Sequence, residues 1–179
     1  MRSRMQAGTL TLLLAFWTFI WLGIPDGLRG VAWEDMRRTF DVPIDALGVM
    51  LTASTVGYLT SSFISGWLAS RYGMGMFLLF SNLLRGVGLI GYAIAPSWWT
   101  LIAFNVLFGL GGGGIDAGLN AYVAAYYSAG RMNLLHACFG IGATIGPIIM
   151  TAVLSLGESW QWGYAAVGLL QFVIMLTFV

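Results

Sequence analysis

Asp116 closes the stretch GLGGGGID, inside an apolar run long enough to cross a membrane. A carboxylate there is costly, and such residues ordinarily face a bundle interior or water and mark ion or substrate paths. Asn105, Gly109, Gly112, Asp116 and Asn120 follow at steps of three and four, so one helix face is small and polar. That face suits the wall of a water-filled path. Gly111 to Gly114 together cost a helix about 4 kcal/mol against alanine. The cost is offset if another backbone approaches there, if the helix must leave an open wall, or if it bends during a conformational cycle.

Further along, Arg131-Met-Asn133-Leu-Leu-His136 places Asn133, His136 and Gly140 on one face by the same spacing. His136 is the single histidine of the chain and Cys138 the single cysteine. With no second soft ligand near it, His136 reads as a polar member of a path or a packed residue, and neither a metal nor another cofactor is expected. Asp116 and His136 stand at equal distances from residue 126, so their depths match. Asp26, beside Pro25 and Gly27 near the outer end of its span, could reach water, bond the freed backbone groups there, or take part in a path. Arg85, near mid-membrane, needs a carboxylate or carbonyl partner and reads as structural. The pattern GLGGGG fits a dinucleotide loop only if a strand precedes it, and none does. The serine, zinc and aspartate motifs of intramembrane proteases do not occur, so no enzyme is expected.

The elements that must carry these residues follow from composition. Of 179 residues 59% are hydrophobic and 8% charged, against about 25% charged in soluble domains; mean hydropathy is +0.84. Apolar stretches separated by short polar joints predict an all-α integral membrane protein with six spans, at about 7–29, 45–70, 74–95, 98–126, 132–156 and 160–179. The basic lead and apolar core at the N-terminus exceed a signal peptide in length and read as a retained first span.

With an even number of spans both termini share a side. Arg2, Arg4, Arg71 and Arg131 against Arg29, Arg37 and Arg38 place that side in the cytoplasm. A cell membrane, a bacterial inner membrane in particular, is the expected location, and a net charge of +1 gives no sign of a nucleic-acid partner. The joint carrying Trp33, Met36 and Phe40 reads as an interfacial extension of the first span, and Trp98, Trp99, Trp160 and Trp162 as outer interface anchors. Gly23-Ile-Pro-Asp26 and Gly113-Gly-Ile-Asp116 match at an offset of 90 residues, each late in the first span of a three-span unit. Three is odd, so the two units would run inverted, a transporter signature.

At GWLASRYGMGM the chain resembles the cytoplasmic-loop signature of the major facilitator superfamily, through Gly66, Arg71 and Gly73, with Ser70 and Met74 where that family usually has an aspartate and a basic residue. GGGGIDAGLNAYV and RMNLLHACFG resemble its fucose-permease branch, His136 replacing a glutamine. The resemblance implies the N-terminal six-helix half of that fold, with Gly66, Arg71 and Gly73 in a gating loop. It further implies proton-coupled sugar transport with Asp116, and more loosely Asp26, as proton carriers, and Asn120, Asn133 and His136 as sugar contacts. Lipid and a second half, or a second copy of the chain, would be the partners. A non-transporting half-bundle for assembly or partner binding is the other reading.

Overall fold

The computed structural model describes residues 2–178, with side chains from residue 9 onward. Six helices follow one another: α1 Arg2–Thr39, α2 Ala46–Tyr72, α3 Met74–Ile94, α4 Trp98–Tyr126, α5 Ala129–Ser155 and α6 Trp160–Met175, with a short 3-10 turn over Leu176–Phe178. All six are long and apolar enough to cross a membrane. The side chains of Arg2 and Arg4, two of the four arginines in the inside count, lie outside the described residues, as does Val179.

α1 differs from its expected span. It runs unbroken to Thr39, Pro25 included, so Asp26 and Arg29 lie well within the helix instead of near its outer end. A proline deletes one backbone donor but does not force a stop where the neighbours hold the helix. The joint after residue 29 is thus continuous helix, and Trp33 and Met36 are buried in the core. Trp33 and Phe40 both pack on Trp98, at 6.1 and 6.2 Å between ring centroids, and Phe40 reaches Trp160 at 6.1 Å. Trp160, 2% exposed, donates from its indole to Thr39 across 3.0 Å. Trp98 and Trp160 are therefore packed residues that tie α1, α4 and α6 together at one end, whereas Trp99 and Trp162 remain exposed, as anchors would be.

The two three-helix units exchange partners. α1 packs on α5 of the other unit, and its counterpart α4 packs on α2, while α3 and α6 pair with each other. Both exchanged pairs run parallel, as their contacts show: Gly23 and Gly27 of α1 meet Phe139 and Ala143 of α5, and Gly109 and Gly113 of α4 meet Ser54 and Tyr58 of α2. Parallel neighbours cannot be consecutive in a chain with short joints, which is why each unit takes its close partner from the other. The α2–α3 joint is a single residue, Gly73, at φ 85°, where a side chain would be strained.

The glycine run has a specific cause. α4 lies between α2 and α3 and touches both by backbone. A Cβ at Gly113 would strike the Tyr58 carbonyl of α2, and one at Gly111 the Arg85 amide and Ser81 carbonyl of α3. Gly114 faces the Ser81 hydroxyl. Gly112 faces neither helix backbone; it faces the Arg85 guanidinium. Close backbone approach on two sides is the packing that small residues give membrane helices, where no hydrophobic force draws helices together.

Candidate functional site

The core splits into two apolar layers. One holds Leu28, Trp33, Met36, Met50, Leu101 and Trp160; the other holds Leu12, Phe19, Ile115, Leu119 and Leu135. Between them opens a cavity of about 410 Å³, within the range of about 300–1,000 Å³ usual for small-molecule sites. Asp26 from α1, Tyr58 from α2, Arg85 from α3, Asp116 from α4 and His136 from α5 all line it. The two acids at the 90-residue offset are thus brought to one cavity from equivalent helices of the two units.

Asp116 is half-buried and accepts a hydrogen bond from the Tyr58 hydroxyl at 2.6 Å. Tyr58 was not singled out by the sequence; the sole signal is that it is the one large polar residue in the small, weakly polar run TASTVGYLTSS.

Asp26, 41% exposed at its side chain, stands 3.9 Å from Arg29 and 3.8 Å from Arg85, whose side chains are 10% and 3% exposed. Arg85 donates to the Leu22 carbonyl at 2.6 Å, and its guanidinium lies over the Phe108 ring at 4.2 Å. Both partner types expected for it are present. Arg29 corrects the sequence reading. Counted among the outer charges, it is instead buried, donating to Ser54 and Tyr92 at 3.5 Å each and lying 5.4 Å from the centroid of the same Phe108 ring.

The other named residues divide. Of the polar α4 face, Gly109, Gly112 and Asp116 line the cavity, but Asn105 does not. Asn105 is fully buried, accepting from Tyr92 and donating to the Met50 carbonyl, so it locks α2, α3 and α4 together. Asn120 lies off the cavity lining with its Oδ1 enclosed and unbonded. His136 reaches the wall, edge-on to Phe19 at 5.9 Å, and is exposed. It shares the cavity with Asp116, yet the Asp116 carboxylate takes Tyr58 as partner, and among the described residues the two form no ion pair. Asn133 is exposed on α5 and off the cavity lining. Gly66, Arg71 and Gly73 lie exposed at the α2–α3 turn, the Arg71 guanidinium 5.8 Å from the Tyr72 ring centroid. Cys138 is buried and unpaired.

Comparison with known proteins adds three kinds of likeness. The family model described as Major Facilitator Superfamily matches residues 7–179. Among curated proteins, the chain is 26% identical over 170 residues to a TsgA homolog of Buchnera aphidicola, covering 91% of this chain and 43% of that protein. It is 29% identical over 148 residues to the human sodium-dependent glucose transporter 1, covering 79% of this chain and 28% of that protein. It is 26% identical over 127 residues to a D-xylose transporter of Levilactobacillus brevis, covering 67% of this chain and 28% of that protein. The chain therefore spans less than half the length of these relatives. Among solved structures, a peptide transporter crystallised with sulfate superposes with a TM-score of 0.69 at 20% identity, over 94% of this chain and 37% of that one, which shows the fold.

Proposed function

Because the chain belongs to the Major Facilitator Superfamily, a family of transporters and not of enzymes, we propose that it forms the N-terminal half of a secondary transporter. That transporter carries a small, sugar-like solute together with a proton by alternating access, and the pattern of α4 and α5 puts it near the fucose-permease branch. The observation that carries the reading is the Asp116 carboxylate on the cavity wall, hydrogen-bonded to Tyr58. It is the acid of the cavity free of any guanidinium partner among the described residues, so its charge can change without breaking an ion pair. Asp26, held between two arginines, serves as their counter-ion and only secondarily as a proton site. His136, which lines the same cavity, is the best-placed solute contact, while Asn120 and Asn133 would need a further movement to reach the solute.

Two of the relatives are named for sugars, which supports the solute class. One is named as sodium-dependent, so the coupling ion has to be tested directly. Both termini are assigned to the cytoplasm of a cell membrane, with Arg71 and Arg131 at cytoplasmic helix ends. The burial of Arg29 removes one charge from the opposing side of that count.

The test is accumulation in proteoliposomes of D-glucose, D-xylose and L-fucose under a pH gradient or a sodium gradient. Asp116→Asn is expected to abolish pH-driven accumulation and to leave solute exchange intact, since exchange needs no change of protonation. Undiminished uphill uptake in that variant rejects the proton role of Asp116.

A further inference from the structure

Two buried arginines in the core share a single carboxylate. Asp26 lies 3.9 Å from Arg29 and 3.8 Å from Arg85, and the other partners of these guanidinium groups are neutral: the Ser54 and Tyr92 hydroxyls, the Leu22 carbonyl and the Phe108 ring. Asp116 makes no ion pair with either arginine among the described residues and is engaged by Tyr58. Asp116, on the same cavity, supplies the balancing charge when ionised, and its protonation leaves the cluster with one positive charge in excess. A buried charge without a partner is a strongly unfavourable arrangement that an anion relieves.

The place for that anion is visible. Arg85 is 2% exposed yet lines the cavity, and of its donors only Nη2 makes a hydrogen bond. Its Nε is enclosed without a partner, and its Nη1 lies against Gly112. The absent side chain at Gly112 lets the guanidinium lie against α4: an added Cβ would meet Arg85 Nη1 and Cζ and nothing else within 4 Å. A guanidinium with a donor left unused at Nη1 makes a charge-assisted hydrogen bond to a carboxylate. The adjoining wall carries the hydroxyls of Ser54, Thr55 and Tyr58, which suit a polyol.

We propose that the solute is an anionic one, a small polyhydroxy carboxylic acid of the sugar-acid type, whose carboxylate binds the Arg85 guanidinium beside Gly112. The inference rests on the cavity being the solute path and narrows its solute. The charges then balance over a cycle. Asp26, Asp116, Arg29 and Arg85 sum to zero with both acids ionised, and a proton on Asp116 leaves one positive charge for the solute carboxylate to cancel.

The test is equilibrium binding to the 179-residue chain in nanodiscs of uncharged phosphatidylcholine, with D-gluconate and D-galacturonate set against D-glucose and D-galactose. The acids are expected to bind at least tenfold more tightly than the neutral sugars. Arg85→Lys should weaken acid binding tenfold or more and reduce the preference for the acids over the neutral sugars by a similar factor. Gly112→Ala, which presses on the guanidinium but on no helix backbone, should do the same in a chain that keeps its helical content. Equal or tighter binding of neutral sugars, or full acid affinity in both variants, overturns the anionic assignment and leaves the transport reading standing. Binding of neither class overturns the cavity as a sugar path, and this assignment with it.

Discussion

The Tyr58 hydroxyl donates to the Asp116 carboxylate across 2.6 Å, joining α2 to α4 at the wall of the cavity. The bond exists because Gly109 and Gly113, in the two turns before Asp116, let α2 lie against the α4 backbone at Ser54 and Tyr58. The tyrosine is thereby placed by packing against α4.

Tyr58→Phe keeps the ring and deletes the donor. A hydrogen bond to a charged group contributes about 1.5–3 kcal/mol, and the partial exposure of both residues puts this one at the lower end. Tyr58→Phe and Asp116→Asn should each lower stability, and the double variant should fall short of their sum by about 1 kcal/mol. Chemical denaturation in mixed micelles measures the cycle; strict additivity would mean the two side chains do not interact.

Gly111→Ala places a methyl group against the Arg85 amide and the Ser81 carbonyl, so α3 and α4 must separate. Overpacking of this kind costs about 1–3 kcal/mol. Gly30→Ala, in α1 with nothing within 4 Å of the new atom, should instead be neutral or stabilise by up to about 1 kcal/mol through helix propensity. Thermal unfolding in detergent should place the two variants on opposite sides of the native midpoint, or at least clearly apart.

Trp160→Ala empties a site buried among Phe40, Tyr164 and Thr39, for a loss of about 3–5 kcal/mol. Trp162→Ala, two residues on and 63% exposed, should change stability by under about 0.5 kcal/mol. Equal losses would mean that both tryptophans act as interface anchors.

α2 and α5 are the least covered helices, with 17% and 22% of their most apolar windows buried against 56% for α3 and α4. Their open faces, with the cavity between them, are expected to be covered in a bilayer by a second six-helix half or a second copy. Single-cysteine crosslinking in liposomes should give dimers from exposed positions on α2 and α5, such as Phe63 and Ile148, and few from α3. Uniform monomers at all positions would contradict this pairing.

The sequence by itself determined the class, the six apolar spans and the residues whose presence in lipid demands a reason. Those signals are local: a span is a matter of length and hydropathy, and a carboxylate in it is costly wherever it points. Even the kinship of Asp26 and Asp116 was visible, because a repeat preserves spacing. What the sequence could not determine is which costly groups meet. Arg29 looked like an outer charge because the first apolar span was bounded at residue 29, but the helix runs on, packed against α5 and α6, and the arginine is buried beside Asp26. Asn105 and Asp116 share a helix face in projection, yet α2 and α3 close over the first and leave the second open to the cavity. Tyr58 gave almost no local signal, since its role arises from an approach between helices 58 residues apart in sequence. The glycine run announced a close contact without naming its partners; only the exchange of helices between the two units decided that α2, α3 and the Arg85 guanidinium would each take one side of it. Hydrophobicity and helix periodicity act along the chain, whereas the pairing of charges depends on distances that only the assembled bundle sets.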